Sequence, residues 1–132
     1  MTAAPRENEG LPAGLRVLIV EDEMLLAFML QDMLAEWGCA VVGPAARLAK
    51  AVSLAGSEAL DGAILDVNLA GAEVYPVARA LAARRVPFIF ISGYAASRLP
   101  KEWRDRPTLQ KPFQPRDLAQ SMARVFAQPL LR

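Results

Sequence analysis

Three carboxylates at the ends of two apolar runs have the residue types and spacing of a cation site. Glu21 and Asp22 follow residues 18–20, and Asp66 follows residues 63–65. If both runs are buried strands of one sheet, the three side chains meet at one edge. Crowded carboxylates repel and raise one another's pKa, whereas a divalent cation neutralises them. The pattern therefore predicts an acidic pocket that binds Mg²⁺.

Polar residues also end other apolar runs of the chain. Ser92 ends the run of residues 88–92, and Asn68 lies two residues after Asp66. Lys111 and Pro112 follow a short run at residues 108–110. In an open α/β sheet, ligands bind at the carboxyl ends of the strands, where the strand order reverses. A single polar strand end means little, because such ends often face solvent. The combination, in this order, indicates one polar site.

The composition excludes several classes of chemistry. The sequence has no histidine, so Ser-His-Asp triads, Cys-His dyads and histidine-based zinc sites are excluded. Cys39 is the only cysteine, so no intramolecular disulfide forms. A net charge of +1 gives no reason to expect nucleic acid or a membrane as a partner. Neither a signal peptide nor a membrane-spanning run is recognisable, so we expect a cytoplasmic protein.

The elements that must position these residues follow from the hydrophobic pattern. Short aliphatic runs alternate with amphipathic stretches, which predicts an α/β fold with a parallel sheet between helices. The predicted strands are residues 15–20, 40–42, 62–66, 88–92 and 108–110. Apolar residues at helical spacing predict helices within residues 26–37, 48–55, 74–81 and 115–126. A further helix is expected between the strands at 88–92 and 108–110. Because Pro100 and Pro107 bracket a charged stretch there, this fourth helix of the fold is predicted to be short or irregular.

The length of 132 residues suits one domain. Residues 1–13 contain prolines and scattered charges without apolar periodicity, which predicts a flexible leader. Residues 14–132 are predicted to form a single domain with no output domain attached.

Over residues 15–127 the chain resembles the receiver domains of two-component response regulators, which share the CheY-like fold. The resembling motifs are Leu18–Glu23, Ile64–Leu69, Phe90–Gly93 and Gln110–Phe113. The resemblance implies a doubly wound, five-stranded parallel sheet of order 2-1-3-4-5. It also implies a phosphoacceptor signalling module rather than an enzyme, one that catalyses only its own phosphorylation and dephosphorylation.

The resemblance also implies roles for individual residues. Asp66 would accept a phosphoryl group from the phosphohistidine of a histidine kinase or histidine phosphotransfer protein. Ser92 and Lys111 would bind the phosphoryl oxygens, and a cis peptide bond before Pro112 would direct the lysine inward. Mg²⁺ would be bound by Asp22 and Asp66 directly, by Glu21 through water and by the backbone carbonyl of Asn68. These roles agree with a reaction that depends on positioning and on neutralising charge at phosphorus.

Thr108 departs from the common receiver pattern. Thr108 lies three residues before the lysine, where many receivers have an aromatic residue that turns inward on activation. The usual aromatic switch is therefore not expected. Residues 87–94 resemble the signature of the FAT GUY group of single-domain response regulators. Tyr94 lies two residues after Ser92, and the resemblance to receivers places it beside the phosphoryl pocket, near Asn68, where it would partly shield the acyl phosphate from water.

Other interpretations share some of these ingredients. A haloacid-dehalogenase-like phosphatase also phosphorylates an aspartate beside Mg²⁺, but it typically has a second aspartate where this chain has Asn68. A flavodoxin-like FMN carrier needs a phosphate-binding loop after the first strand, where residues 21–23 would repel phosphate. A degenerate receiver used as a scaffold is disfavoured, because the acceptor and its supporting residues are present.

We therefore expect a response regulator that signals through contacts with a downstream protein of unknown identity, as a monomer or weak homodimer. A phosphate sink or a relay intermediate would use the same site. Because the chain has no histidine, the phosphohistidine donor must be another protein.

Overall fold

Helices cover both faces of a five-stranded parallel sheet in the computed structural model, which describes residues 10–126. The strands of this sheet are β1 Arg16–Val20, β2 Ala40–Ala45, β3 Gly62–Asp66, β4 Phe88–Ser92 and β5 Thr108–Gln110. The helices are α1 Met24–Glu36, α2 Leu48–Ser57, α3 Tyr75–Ala83 and α4 Pro115–Phe126. The strand order is β2-β1-β3-β4-β5, which confirms the predicted fold class and order.

The register of the central strands aligns the polar strand ends. β1 pairs with β3 so that Val20 lies beside Leu65, and β3 pairs with β4 so that Asp66 lies beside Ile91. β3 and β4 are buried along their whole length, as expected for strands covered by helices on both faces. The residues that follow β1, β3 and β4 therefore emerge at the same edge.

The core consists of two hydrophobic clusters, one on each face of the sheet. One packs α2 and α3 against alternate residues of the central strands, and the other packs α1 and α4 against the remaining ones. A Cβ atom at Gly62 would lie 2.7 Å from the ring of the buried Phe126. The start of β3 must therefore be glycine for the end of α4 to pack there.

Two local features differ from the prediction. Strand β2 does not end before Gly43 but continues to Ala45, with a cis peptide bond between Gly43 and Pro44. Proline is tolerated there because β2 is an edge strand, whose outer side needs no ladder hydrogen bond. A two-stranded hairpin of Asn68–Leu69 and Ala72–Glu73 was not predicted, since strands of two residues carry no recognisable period.

Residues 95–107, between β4 and β5, form two short 3₁₀ turns, Ala96–Arg98 and Lys101–Trp103. This confirms the prediction of a short or irregular helix at this place in the fold. Trp103 is buried, and its ring stacks on that of Tyr75 at 6.2 Å between centroids. The edges of Phe88 and Phe90 complete this aromatic cluster. Aromatic packing of this kind anchors a segment that has little regular secondary structure.

The predicted leader lies mostly outside the described residues. Of its described part, Leu11 is partly buried against the cluster that contains α1 and α4. Among the helices of residues 10–126, none is long and apolar enough to cross a membrane.

Candidate functional site

The three carboxylates predicted to meet do so at the carboxyl edge of the sheet. Glu21, Asp22 and Asp66 each offer an oxygen within 4.8 Å of the others. Glu21 and Asp66 are buried, whereas Asp22 is exposed. Adjacent parallel strands in register bring them together, because the residue after β1 and the last residue of β3 end at the same level. An all-oxygen donor set of this kind suits Mg²⁺.

Glu21 is the most constrained of these acids. Its Oε2 accepts a hydrogen bond from the backbone N–H of Glu23 at 3.0 Å, while its buried Oε1 has no hydrogen-bond partner. The nearest cation to Oε1 is Lys111 Nζ at 3.5 Å, an ion-pair distance. Burial raises the pKa of Glu21 from 4.5 to about 7, and the neighbouring Asp66 adds to the rise. A buried oxygen without a partner is costly, so this site fits a group that supplies positive charge or a bound water.

Lys111 brings a positive charge to the two buried acids. Its Nζ lies 3.5 Å from Asp66 Oδ2 as well as from Glu21, and its side chain is 26% exposed. The peptide bond to Pro112 is cis, as predicted. Burial raises the pKa of Asp66, and Lys111 partly opposes that rise. Partial exposure leaves room for the ammonium group to follow a ligand bound beside Asp66.

Ser92 ends β4 with its side chain buried at the same edge. Its Oγ accepts a hydrogen bond from the backbone N–H of Tyr94 at 2.9 Å, and its carbonyl accepts one from the N–H of Lys111 at 2.7 Å. A hydroxyl oxygen that accepts one bond can still donate its hydrogen. The Ser92 hydroxyl therefore keeps its hydrogen available to donate.

Tyr94 and Asn68 both line a cavity of about 240 Å³. Its wall also includes Val67, which follows Asp66 in the sequence. Tyr94 is 55% exposed, and the guanidinium of Arg98 lies 5.7 Å from its ring centre. Asn68 is exposed, and its Oδ1 accepts a hydrogen bond from the backbone N–H of Gly71 at 3.1 Å. The structure thus places Tyr94 near Asn68, where the sequence led us to expect it.

Thr108 occupies the position of the usual aromatic switch. It is partly buried at the start of β5 and donates a hydrogen bond from Oγ1 to the carbonyl of Arg106 at 3.1 Å. The aromatic residues of this region come instead from α3, β4 and the 3₁₀ turns, as the Tyr75–Trp103 stack shows. This cluster was not predictable from the sequence, because its members are distant along the chain.

An apolar surface beside the acidic cluster was not predicted from the sequence. Four large side chains of α1 are 50–72% exposed: Met24, Leu25, Phe28 and Met29. Beside them, a groove of about 300 Å³ runs between α1 and the segment after β5, and Lys111 forms part of its wall. The signal in the sequence was a second apolar stripe on α1, beside the stripe that packs in the core.

Comparisons with known proteins agree with this geometry. The family model described as response regulator receiver domain matches residues 17–123. No curated protein matches the chain significantly. SdrG from Sphingomonas melonis Fr1 has a similar solved structure, with 43% identity and a TM-score of 0.75; the match covers 86% of this chain and 97% of SdrG.

Two further solved structures are similar at lower identity. The response regulator PhyR from Brucella abortus is 27% identical with a TM-score of 0.79, over 92% of this chain and 51% of PhyR. The receiver domain of the sensor histidine kinase PA1611 from Pseudomonas aeruginosa PAO1 is 27% identical with a TM-score of 0.71, over 88% of this chain and 100% of that domain. In the PA1611 domain, a magnesium ion is coordinated in the active site cleft.

Proposed function

Because the chain belongs to the family of response regulator receiver domains, we propose that Asp66 accepts a phosphoryl group from a phosphohistidine of a partner protein. The donor is a histidine kinase or a histidine phosphotransfer protein, and the phosphorylated chain signals through contacts with a downstream protein. The observation that carries this proposal is the buried Asp66 carboxylate beside two further acids and 3.5 Å from Lys111 Nζ. A phosphatase of the haloacid-dehalogenase class has no comparable support.

The donor set supports Mg²⁺ as the cofactor. Asp22 and Asp66 would bind it directly, Glu21 through water and Asn68 through its backbone carbonyl. The buried Glu21 Oε1 without a hydrogen-bond partner fits a site completed by a cation and its waters. When bound, Mg²⁺ neutralises charge on the phosphoryl oxygens. It would also favour the ionised carboxylates, whose pKa values are raised mainly by burial.

The side chains of this protein supply the remaining steps. An oxygen of Asp66 attacks phosphorus, forming an O–P bond as the P–N bond to the donor imidazole breaks, and the imidazole retains the electron pair. Lys111 and the hydroxyl of Ser92 hold the phosphoryl oxygens, whose charge is spread over three positions in the transition state. Preorganised donors at a partly buried site are worth more than the same donors in water.

Intact-mass measurement tests the proposal directly. Incubation with acetyl phosphate and Mg²⁺ is expected to add the mass of one phosphoryl group, and addition of EDTA beforehand is expected to prevent it. An unchanged mass in the presence of Mg²⁺, with the protein folded, would reject the assignment of Asp66 as a phosphoacceptor.

The exposed apolar surface of α1 suits a contact with the phosphohistidine donor, because its groove leads to Lys111. Replacing Leu25 and Phe28 together by alanine is expected to slow phosphotransfer from the cognate donor protein roughly tenfold or more, since both side chains are buried only when a partner is bound. Phosphorylation by acetyl phosphate should stay unchanged, because it needs no docking surface. The measurement is the rate of phosphotransfer in a rapid-mixing assay.

A control on another surface is Ala49→Glu, at an exposed position of α2 that does not line the groove. This variant should phosphorylate at the wild-type rate with both donors. If the Leu25→Ala/Phe28→Ala protein also keeps its full rate with the donor protein, the α1 surface is not where that protein binds.

Tyr94 is expected to lengthen the life of the acyl phosphate. Tyr94 lines a cavity whose wall also includes Val67, the residue after Asp66, so Tyr94→Ala would admit water and shorten the lifetime severalfold. Tyr94→Phe keeps the ring and should keep the lifetime. The decay of the phosphorylated mass with time measures both, and a lifetime in Tyr94→Ala that equals or exceeds that of the wild type contradicts the shielding role.

A further inference from the structure

Positive charge is concentrated in one stretch of this nearly neutral chain. Residues 79–106 contain seven basic side chains: Arg79, Arg84, Arg85, Arg98, Lys101, Arg104 and Arg106. The same stretch contains two acids, Glu102 and Asp105. Because the whole chain has a net charge of +1, the rest of the sequence is net acidic. Basic side chains clustered in this way create a positive local electrostatic potential, although the net charge of the whole chain is close to zero.

Five of these residues form one surface, which we term the basic face: Arg79, Arg98, Lys101, Arg104 and Arg106. Leu99 and Trp103 are buried beneath it, whereas its side chains are exposed except for the half-buried Arg106. The Arg79–Glu102 ion pair, at 3.7 Å, joins α3 to the 3₁₀ turns. The basic face therefore extends across two neighbouring elements.

Several side chains of the basic face are already held in place. Arg104 Nε donates a hydrogen bond to the carbonyl of Leu99 at 2.8 Å, and the guanidinium of Arg106 lies 4.7 Å from the ring centre of Phe88. Arg98 lies against Tyr94. Each guanidinium keeps further N–H donors in a planar fork that matches a carboxylate. Holding these side chains before binding lowers the entropy cost of association.

We propose that the basic face binds an acidic segment of the downstream protein. Arginine predominates over lysine, which favours paired contacts with carboxylates in a protein interface. Nucleic acid fits less well, because Glu102 and Asp105 interrupt the basic face and the whole chain has a net charge of only +1, whereas a continuous phosphate backbone needs a continuous basic surface. The partner is recognised by carboxylates spaced to meet the arginines.

The position of the basic face suggests how phosphorylation regulates it, and this part rests on the proposed function of Asp66. Ser92 Oγ accepts a hydrogen bond from the N–H of Tyr94, and Tyr94 contacts Arg98. If Ser92 turns towards a phosphoryl group, Tyr94 loses that bond and the 3₁₀ turns can shift. Binding of the acidic segment then depends on the state of Asp66.

The test is the affinity of the unphosphorylated protein for a fluorescein-labelled peptide of alternating Glu and Ala residues, measured by anisotropy at low salt. Reversing two exposed charges, in Arg98→Glu/Lys101→Glu, is expected to weaken binding about tenfold. The matched control, Arg116→Glu/Arg124→Glu, makes the same charge change on exposed positions of α4 and should weaken binding less than about twofold.

Equal losses in the two variants would overturn the proposal, because binding would then follow net charge alone. Tighter binding of single-stranded DNA of equal charge than of the peptide would also overturn it. Repeating the titration with beryllofluoride and Mg²⁺ tests the regulation, and an affinity change is expected in the wild type but not in Asp66→Asn. Failure of phosphorylation affects this last comparison only, so the two proposals are tested separately.

Discussion

Replacing Asp66 with asparagine abolishes the mass gain on incubation with acetyl phosphate and Mg²⁺. The amide of asparagine is nearly isosteric with the carboxylate but is not a nucleophile towards phosphorus. Asp66 is also the last residue of the buried strand β3, so backbone pairing rather than the side-chain charge fixes its position. We therefore expect the variant to fold and to lose phosphorylation completely, as measured by intact mass.

A second variant separates loss of the acceptor from loss of the metal site. Asp22→Asn removes an exposed carboxylate of the cluster but keeps Asp66. It should still gain one phosphoryl group, although at higher Mg²⁺ concentration. A persistent mass gain in Asp66→Asn would show that another residue is the acceptor.

Without Mg²⁺, the protein is expected to lose stability as the pH rises through the range in which Glu21 titrates. Burial and the neighbouring Asp66 raise the pKa of Glu21 from 4.5 to about 7 in the folded state. Below 4.5 the group is protonated in both states, so it contributes nothing to the pH dependence. Between these values the unfolded chain binds fewer protons, so the free energy of unfolding falls, and it levels off above about 7.

The decrease in the free energy of unfolding that Glu21 causes is about 3 kcal/mol, the equivalent of the difference between its pKa values in the folded and unfolded states. Glu21→Gln removes it, so in the absence of Mg²⁺ this variant should be more stable than the wild type at alkaline pH. Added Mg²⁺ should reverse the ranking, because the cation favours the ionised carboxylates of the wild type. Chemical denaturation across the pH range measures each curve.

The control for this prediction is Glu36→Gln, an exposed acid at the end of α1. Its pH profile should follow that of the wild type. Profiles of Glu21→Gln and wild type that coincide without Mg²⁺ would mean that Glu21 is not held at a raised pKa.

The two fully buried strands were predictable from sequence to the residue. Strands β3 and β4 have the predicted bounds, because apolar runs between polar strand ends leave little choice of register, whereas β1 begins one residue later than predicted. The end of β2 was not predictable in this way. Gly43 and Pro44 predict a turn when the local sequence is considered alone, but an edge strand can also contain them. Whether β2 ends there or continues to Ala45 depends on its pairing with β1.

In the candidate site too, one part was predictable from sequence and another was not. The acids after β1 and β3 were predicted to meet because parallel strands end at a common edge, and Lys111 completes the group as expected from its place after β5. The surfaces around the site were not predicted. The basic face and the apolar surface of α1 depend on which side of each element the fold leaves uncovered, and a single element does not determine that.

The stack of Trp103 on Tyr75 gives the protein an intrinsic optical probe. The sequence has two tryptophans, and the other one, Trp37, is buried in the cluster on the opposite face of the sheet. Indole emission depends on neighbouring rings and on access of water, so Trp103 senses the segment that follows Tyr94. A Trp37→Phe protein keeps one tryptophan, buried directly beneath the basic face, and its emission can be followed without an attached dye.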